Sequence, residues 1–224
     1  MLNCIEDNEA YVVGVVCSYL SYSHDVYGER FYRFMLQSDR LSQNSDLICV
    51  TVSDKMLTDI SIDLGMHLAI TGQFRSYNNY TGVGNKLVLT LFAKDIKIAD
   101  ETDTPVNEIY LNGYICKPIV YRVTPFGREI ADILLAVNRA FNKSDYIPCI
   151  AWGRNARFVK HLDVGQNIKI WGRMQSREYQ KKISETESVT KTAYEVSVNR
   201  LEIGDDTSRT KENDDFAEEN GYII

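Results

Sequence analysis

The sequence predicts an all-β chain built from two tandem copies of one small barrel or sandwich, and two observations carry that prediction. The first is punctuation. Short segments rich in β-branched and aromatic residues (YICKPIVYRV, EIADILLAV, YIPCIAWG and NIKIWGRMQSR in the second half) are separated by Gly, Pro and Asn/Asp. The second is repetition. Gly14, Cys17, Tyr22, Gly28 and Arg40 recur 99 residues on as Gly113, Cys116, Tyr121, Gly127 and Arg139. From Cys49 and Cys149 onward the offset reads as 100, giving Asp63/Asp163, Gly65/Gly165, Ile70/Ile170, Gly72/Gly172 and Ser76/Ser176. A nearly constant offset with one single-residue slip marks a duplicated unit.

Taken in order, residues 1–10 are polar. The first unit, within residues 1–100, then runs through YVVGVVCSYLSYS, ERFYRFMLQ, LICVTVS, MHLAITGQFRSYNNY and NKLVLTLFAKDIKI. Arg30 to Leu36 alternates as a half-buried strand does. Residues 54–63 (DKMLTDISID) predict a short amphipathic helix with Ser53 or Asp54 as its cap. Residues 101–108 are acidic, contain Pro105 and lack apolar periodicity, so they read as a linker. The second unit fills 109–204 and closes with KTAYEVSVNRLEIG, preceded by KKISETESVT, a polar excursion between two strands. Residues 205–224 are polar and acidic and are expected to be disordered.

Charge is unevenly placed. Residues 1–108 hold 8 basic against 15 acidic residues, a net of −7, whereas 109–204 hold 15 against 9, a net of +6. The last twenty hold 2 against 7. The total of −6 therefore hides a basic middle block, and placement governs attraction to a polyanion. The five cysteines (Cys4, Cys17, Cys49, Cys116, Cys149) form no CxxC or Cys/His cluster, so no zinc site or other metal is expected and the thiols read as reduced core residues. No apolar run approaches the roughly 20 residues of a membrane helix, and the start, MLNCIEDNEA, lacks the basic region of a signal peptide. The cytoplasm is the expected compartment. His24, His67 and His161 are scattered and no nucleotide-binding, nucleophile or HExxH motif occurs, so neither a cofactor nor an enzyme activity is expected. A nuclease would need clustered carboxylates on the fold, and none is visible.

In the basic block, cations lie among aromatics: Arg139 by Phe141, Arg154 by Trp152, Arg177 and Lys181 around Tyr179. Cations track phosphates and flat rings stack on unpaired bases, so this mixture suits single-stranded nucleic acid. The block carries, in order, Gly113, Pro118, Thr124-Pro125-Phe126-Gly127, Leu135 to Arg139, Tyr146 to Gly153 and Gly172 to Arg177. In these landmarks residues 109–203 closely resemble the bacterial single-stranded DNA-binding protein family. The resemblance implies two five-stranded OB-fold barrels, each with a short helix. It implies base stacking by Phe141, Tyr146, Trp152 and Tyr179. Arg139, Arg154, Arg157, Arg173 and Arg177 are the phosphate candidates.

The first unit departs from this pattern. On the repeat alignment Phe141 becomes Ser42, Tyr146 becomes Leu47 and Trp152 becomes Val52, while Tyr77 and Tyr80 stand near the place of Tyr179 as a secondary strand-binding pair. With its acidic balance, the first unit reads as a weaker binder or a chiefly structural partner in assembly. The expected function is sequence-independent binding and protection of single-stranded DNA in replication, recombination or repair. Two barrels per chain suggest a homodimer with four. The alternative is a replication-restart or scaffold OB protein whose first barrel and acidic tail recruit proteins. Family tails end in a Pro-Phe tip that docks genome-maintenance proteins; here Phe216 is followed by an apolar end, Tyr222, Ile223 and Ile224, and these four are the docking candidates.

Overall fold

The computed structural model describes residues 7–40, 42, 44–78, 87–182 and 188–204. Twelve strands form one continuous sheet that curls into a barrel at each end. In the first half these are β1 (Asn8–Val16), β2 (Ser21–Val26), β3 (Glu29–Asp39), β4 (Ser45–Ser53), β5 (His67–Asn78) and β6 (Leu87–Ile98). The second half repeats them as β7 (Val106–Ile115), β8 (Val120–Val123), β9 (Glu129–Arg139), β10 (Lys143–Trp152), β11 (Asn167–Lys182) and β12 (Ser188–Ile203).

Five strands close each barrel. In the first, β1 pairs with β3 and β5, β3 with β4, β5 with β6, and a short parallel contact of Val50 with Leu91 shuts the ring. The second closes identically, with Cys149 opposite Val196 as the parallel contact. β2 and β8 pair only with β3 and β9 and lie outside the rings. This is the OB-fold expected from the sequence, with one extra edge strand per barrel.

Alternation explains the interior. On β3, Phe34 and Leu36 point inward, and on β4 Ile48, Val50 and Val52 do so. Leu135, Ile147, Ile168, Ile170 and Met174 do the same in the second barrel. The repeated glycines have two distinct causes. Gly28 and Gly65 have φ of +83° and +84° and belong in turns. Gly14 and Gly72 sit where strands cross closely: a Cβ would lie 2.3 Å from the Gln37 carbonyl oxygen and 2.2 Å from that of Phe92. Gly113 and Gly172 repeat this crowding against Ala136 and Ser197. The barrel corner, not the turn, requires them.

Several expectations need correction. Residues 54–63 form only a 3-10 turn over Met56–Thr58, because the Asp54 carboxylate accepts a hydrogen bond from Arg30 Nε (3.2 Å) and caps nothing. Among the described residues only the second barrel has an α-helix, α1 (Gly153–Val159), which buries Ala156 and Val159. The repeat slips later than sequence identity suggests: β4 and β10 keep the offset of 99, since Val50 pairs with Phe34 as Cys149 pairs with Ile133. Ser53, not Val52, therefore stands in the place of Trp152, and the extra residue falls in the segment that carries the helix. Of the four described cysteines, all free, Cys149 is buried, its thiol pushed up by desolvation, but Cys17 is exposed and donates to the Met35 carbonyl. β7 also begins at Val106, inside the stretch read as linker, and β11 and β12 pair out to Lys182 and Ser188, well into the polar excursion.

The halves join through antiparallel pairing of β1 with β7 from Asn8–Leu111 to Val13–Val106. Ala10 faces Ile109, its own repeat partner, so the seam lies on a pseudo-twofold axis. Side chains lock it in matching pairs. Asp145 Oδ1 accepts the Ser76 N–H (2.8 Å) and Ser76 Oγ accepts the Tyr146 N–H (2.7 Å). Across the axis, Asp46 Oδ1 accepts the Ser176 N–H (3.3 Å) and Ser176 Oγ accepts the Leu47 N–H (3.1 Å).

Candidate nucleic-acid interface

The outer face of β10 presents two of the expected rings. Asp145, Ile147, Cys149 and Ala151 are buried; the alternate positions include Tyr146, 49 % exposed, and Trp152, 38 % exposed. Six residues of strand place them about 20 Å apart, the reach of several nucleotides. Phe141 occupies the turn between β9 and β10 and is 94 % exposed. Its φ is +63° and that of Asn142 is +53°, a conformation that a bulky residue rarely adopts. A phenylalanine held out in water on a strained turn suits a role outside the core. Tyr179 pairs through its backbone with Lys191; its side chain falls outside the described residues, as does that of Lys181.

The phosphate candidates fare differently. Arg139 Nη1 lies 3.5 Å from the buried Asp145 carboxylate, at the seam. Arg157 pairs with Glu129, and Arg177 Nε donates to Glu195 Oε1 at 2.9 Å. Arg173 reaches across the seam to within 3.9 Å of Asp46 and donates to Gln175 Oε1 at 3.1 Å. Burial first, and then the charge of Arg40, push the Arg173 guanidinium below the usual arginine range, while Asp46 partly restores it. Asp46 is itself held by Arg40, whose Nε donates to it at 2.7 Å. Arg154, exposed on α1, is the one candidate of the five without an ion pair to a described residue. The basic block is thus partly neutralised by carboxylates arriving from other strands.

Tyr77 is exposed and its hydroxyl accepts from Arg33 Nη1 at 3.0 Å; Tyr80 lies outside the described residues, as do Phe216, Tyr222, Ile223 and Ile224. A second aromatic group escaped the sequence reading. Trp171 lies on the outer face of the joined sheet, 5.1 Å from Tyr110, with Arg200 Cζ 4.6 Å above it. Its alternation with the buried Ile170 and Gly172 was the available signal.

Comparison with known proteins completes the picture. A model of the single-strand binding protein family matches residues 106–203. Single-stranded DNA-binding protein 1 of Streptococcus pyogenes serotype M18 is 33 % identical over 112 residues, which span 47 % of this chain and 85 % of that protein. The chain belongs to the single-strand binding protein family. Single-stranded DNA-binding protein A of Bacillus subtilis is 35 % identical over 104 residues, covering 43 % of this chain and 60 % of that protein. The fold likeness reaches further than the sequence likeness. The wild-type single-stranded DNA binding protein from Thermus aquaticus superposes with a TM-score of 0.68 over 88 % of this chain and 93 % of that one, at 17 % identity, and so shares the architecture of both barrels. Among the described residues no helix is long and apolar enough to cross a membrane, and no group of three or more His, Cys, Asp and Glu could hold a metal ion.

Proposed function

We propose that the chain binds single-stranded DNA without regard to sequence and, in doing so, shields exposed strands during replication, recombination or repair. The observation that carries this reading is the outer face of β10, where Tyr146 and Trp152 stand exposed between buried neighbours, beside the protruding Phe141. Stacking on a ring tolerates any base and contributes about 1–3 kcal/mol per base. Family membership and the names of the relatives support the same substrate. Phosphate attraction rests on Arg154 together with paired arginines such as Arg157 and Arg177, which a phosphate would have to share with Glu129 and Glu195.

We further propose that two chains associate into a four-barrel homodimer. The Tyr110–Trp171–Arg200 group on the outer sheet face supports this, since large rings on a sheet surface suit burial against a second copy. The Trp152→Ala variant tests the binding proposal. Oligothymidine affinity should fall by about 1–3 kcal/mol with the fold intact by circular dichroism. Unchanged affinity would place the strand elsewhere.

A further inference from the structure

The seam between the barrels has two mouths, related by the pseudo-twofold axis, and they are chemically unequal. One opens as a cleft of about 460 Å³. Asn8 lines it and is pinned to the Phe74 backbone by hydrogen bonds of 2.7 and 2.9 Å, as Asn107 is pinned to Met174 across the axis. Three cations stand around it: Arg75 on β5, Lys94 at the β6 bulge and Arg139 at the end of β9. The first two belong to one barrel and the third to the other.

Register supplies the comparison with the second mouth. There Gln175 stands for Arg75, Asn199 for Lys94, and the Asp39 carboxylate for the Asn138 amide of the cleft wall. Arg40 stands for Arg139, but the two arginines are held differently. Arg40 grips Asp46 through Nε, at 2.7 Å, and through Nη2. Asp145, the counterpart of Asp46, takes its serine N–H more closely, at 2.8 against 3.3 Å, and lies 3.5 Å from Arg139 Nη1. Arg173, in the place of Gln73, turns to within 3.9 Å of the same Asp46. The second mouth thus answers its arginines with carboxylates. Among the described residues the wall of the cleft carries one carboxylate, Asp7, which itself accepts from Asn112 Nδ2 at 2.8 Å.

A cleft lined by one sign of charge concentrates the opposite ion, and the arginine fork fits phosphate oxygens. The volume is that of a small-molecule site. Among the described residues no aromatic ring lines it, so it suits phosphate groups and gives a base no platform. We propose that this cleft binds a small free polyphosphate, a di- or triphosphate held between Arg75, Lys94 and Arg139, at a site separate from the stacking face of β10. An anion so placed is held by both barrels and stabilises their joint. The proposal goes beyond strand binding and does not depend on it.

Isothermal titration calorimetry of the full chain with sodium tripolyphosphate, at constant ionic strength, tests it. One anion per chain is expected, and the melting temperature should rise as the site fills. Lys94→Asn, at an exposed position, copies the second mouth and should weaken binding by about tenfold, the scale of one charged hydrogen bond. Lys97→Asn removes the same charge further along β6, where Lys97 pairs with Asp95, and should leave binding unchanged. Adding Arg75→Gln to Lys94→Asn should weaken binding further, with the fold checked by circular dichroism because Arg75 lies on the Phe92 ring. No saturable binding by the wild type, an unaltered affinity in Lys94→Asn, or an equal loss in Lys97→Asn would each overturn the site. A repeat with the chain saturated by oligothymidine separates a free anion from the phosphates of a strand. Binding that persists supports the proposal. Stoichiometric displacement would assign the cleft to the strand, overturning the free-polyphosphate site and leaving the proposed function standing.

Discussion

Phe141 and Asp145, four residues apart, illustrate two opposite uses of one strand connection. Phe141 holds a positive φ and gives its ring to water. Such a conformation costs about 1–3 kcal/mol in a non-glycine residue. Phe141→Gly should therefore raise the urea midpoint while weakening oligothymidine binding. Lower stability, or unaltered binding, would show that the ring supports the fold. Asp145 is buried and holds both Ser76 and Arg139 across or beside the seam. Removing one partner of a buried charge pair costs about 3–5 kcal/mol. Asp145→Ala should lose stability on that scale in denaturant unfolding, and Asp145→Asn should retain more of it because its oxygen can still accept the Ser76 N–H. The same residues show the limit of the sequence. The exposure of Trp152 and Tyr146 was legible because they stand in an ordered motif on a strand of plain alternation. The carboxylates that occupy Arg139, Arg157 and Arg177 were not, because Asp145 and Glu195 meet their arginines through strand register and Glu129 meets Arg157 through the packing of α1 on β9.

At the scale of elements, the strands were the legible part and the connections were not. Punctuation and repetition suffice for two β-rich units because strand length and turn chemistry are local properties. The helix over 54–63 was misread because the capping carboxylate of Asp54 belongs to Arg30, a contact made through the β3–β4 hairpin. Matching Cys49 to Cys149 was misleading for a similar reason. Cys49 lies opposite Met35 and Cys149 opposite Ile133, so the two thiols face different sides of their barrels. An identical residue one step out of register reverses its face. The crowded glycines offer a direct check. Gly172→Ala would place its Cβ 2.2 Å from the Ser197 carbonyl oxygen, where backbone must move. Overpacking of this kind costs about 1–3 kcal/mol, and thermal unfolding should register the loss. A neutral outcome would mean that the β11–β12 bulge at Trp171 and Gly172 absorbs the extra carbon.

The whole molecule is two barrels fused through β1 and β7 about a pseudo-twofold axis, and the fusion has consequences for binding. A strand bound at the Trp152 face therefore lies on a frame in which the other barrel is fixed in position, not held on a loose tether. Net charge of −6 is compatible with this because attraction is set at the faces. The central claim is that unpaired bases stack on exposed rings. Competition between oligothymidine and a duplex of equal length tests it most directly, since a duplex offers the same phosphates but no free base faces. The account predicts that the single strand wins by more than tenfold, which is about 1.4 kcal/mol. Equal binding of both would contradict it and reduce the interface to a basic surface.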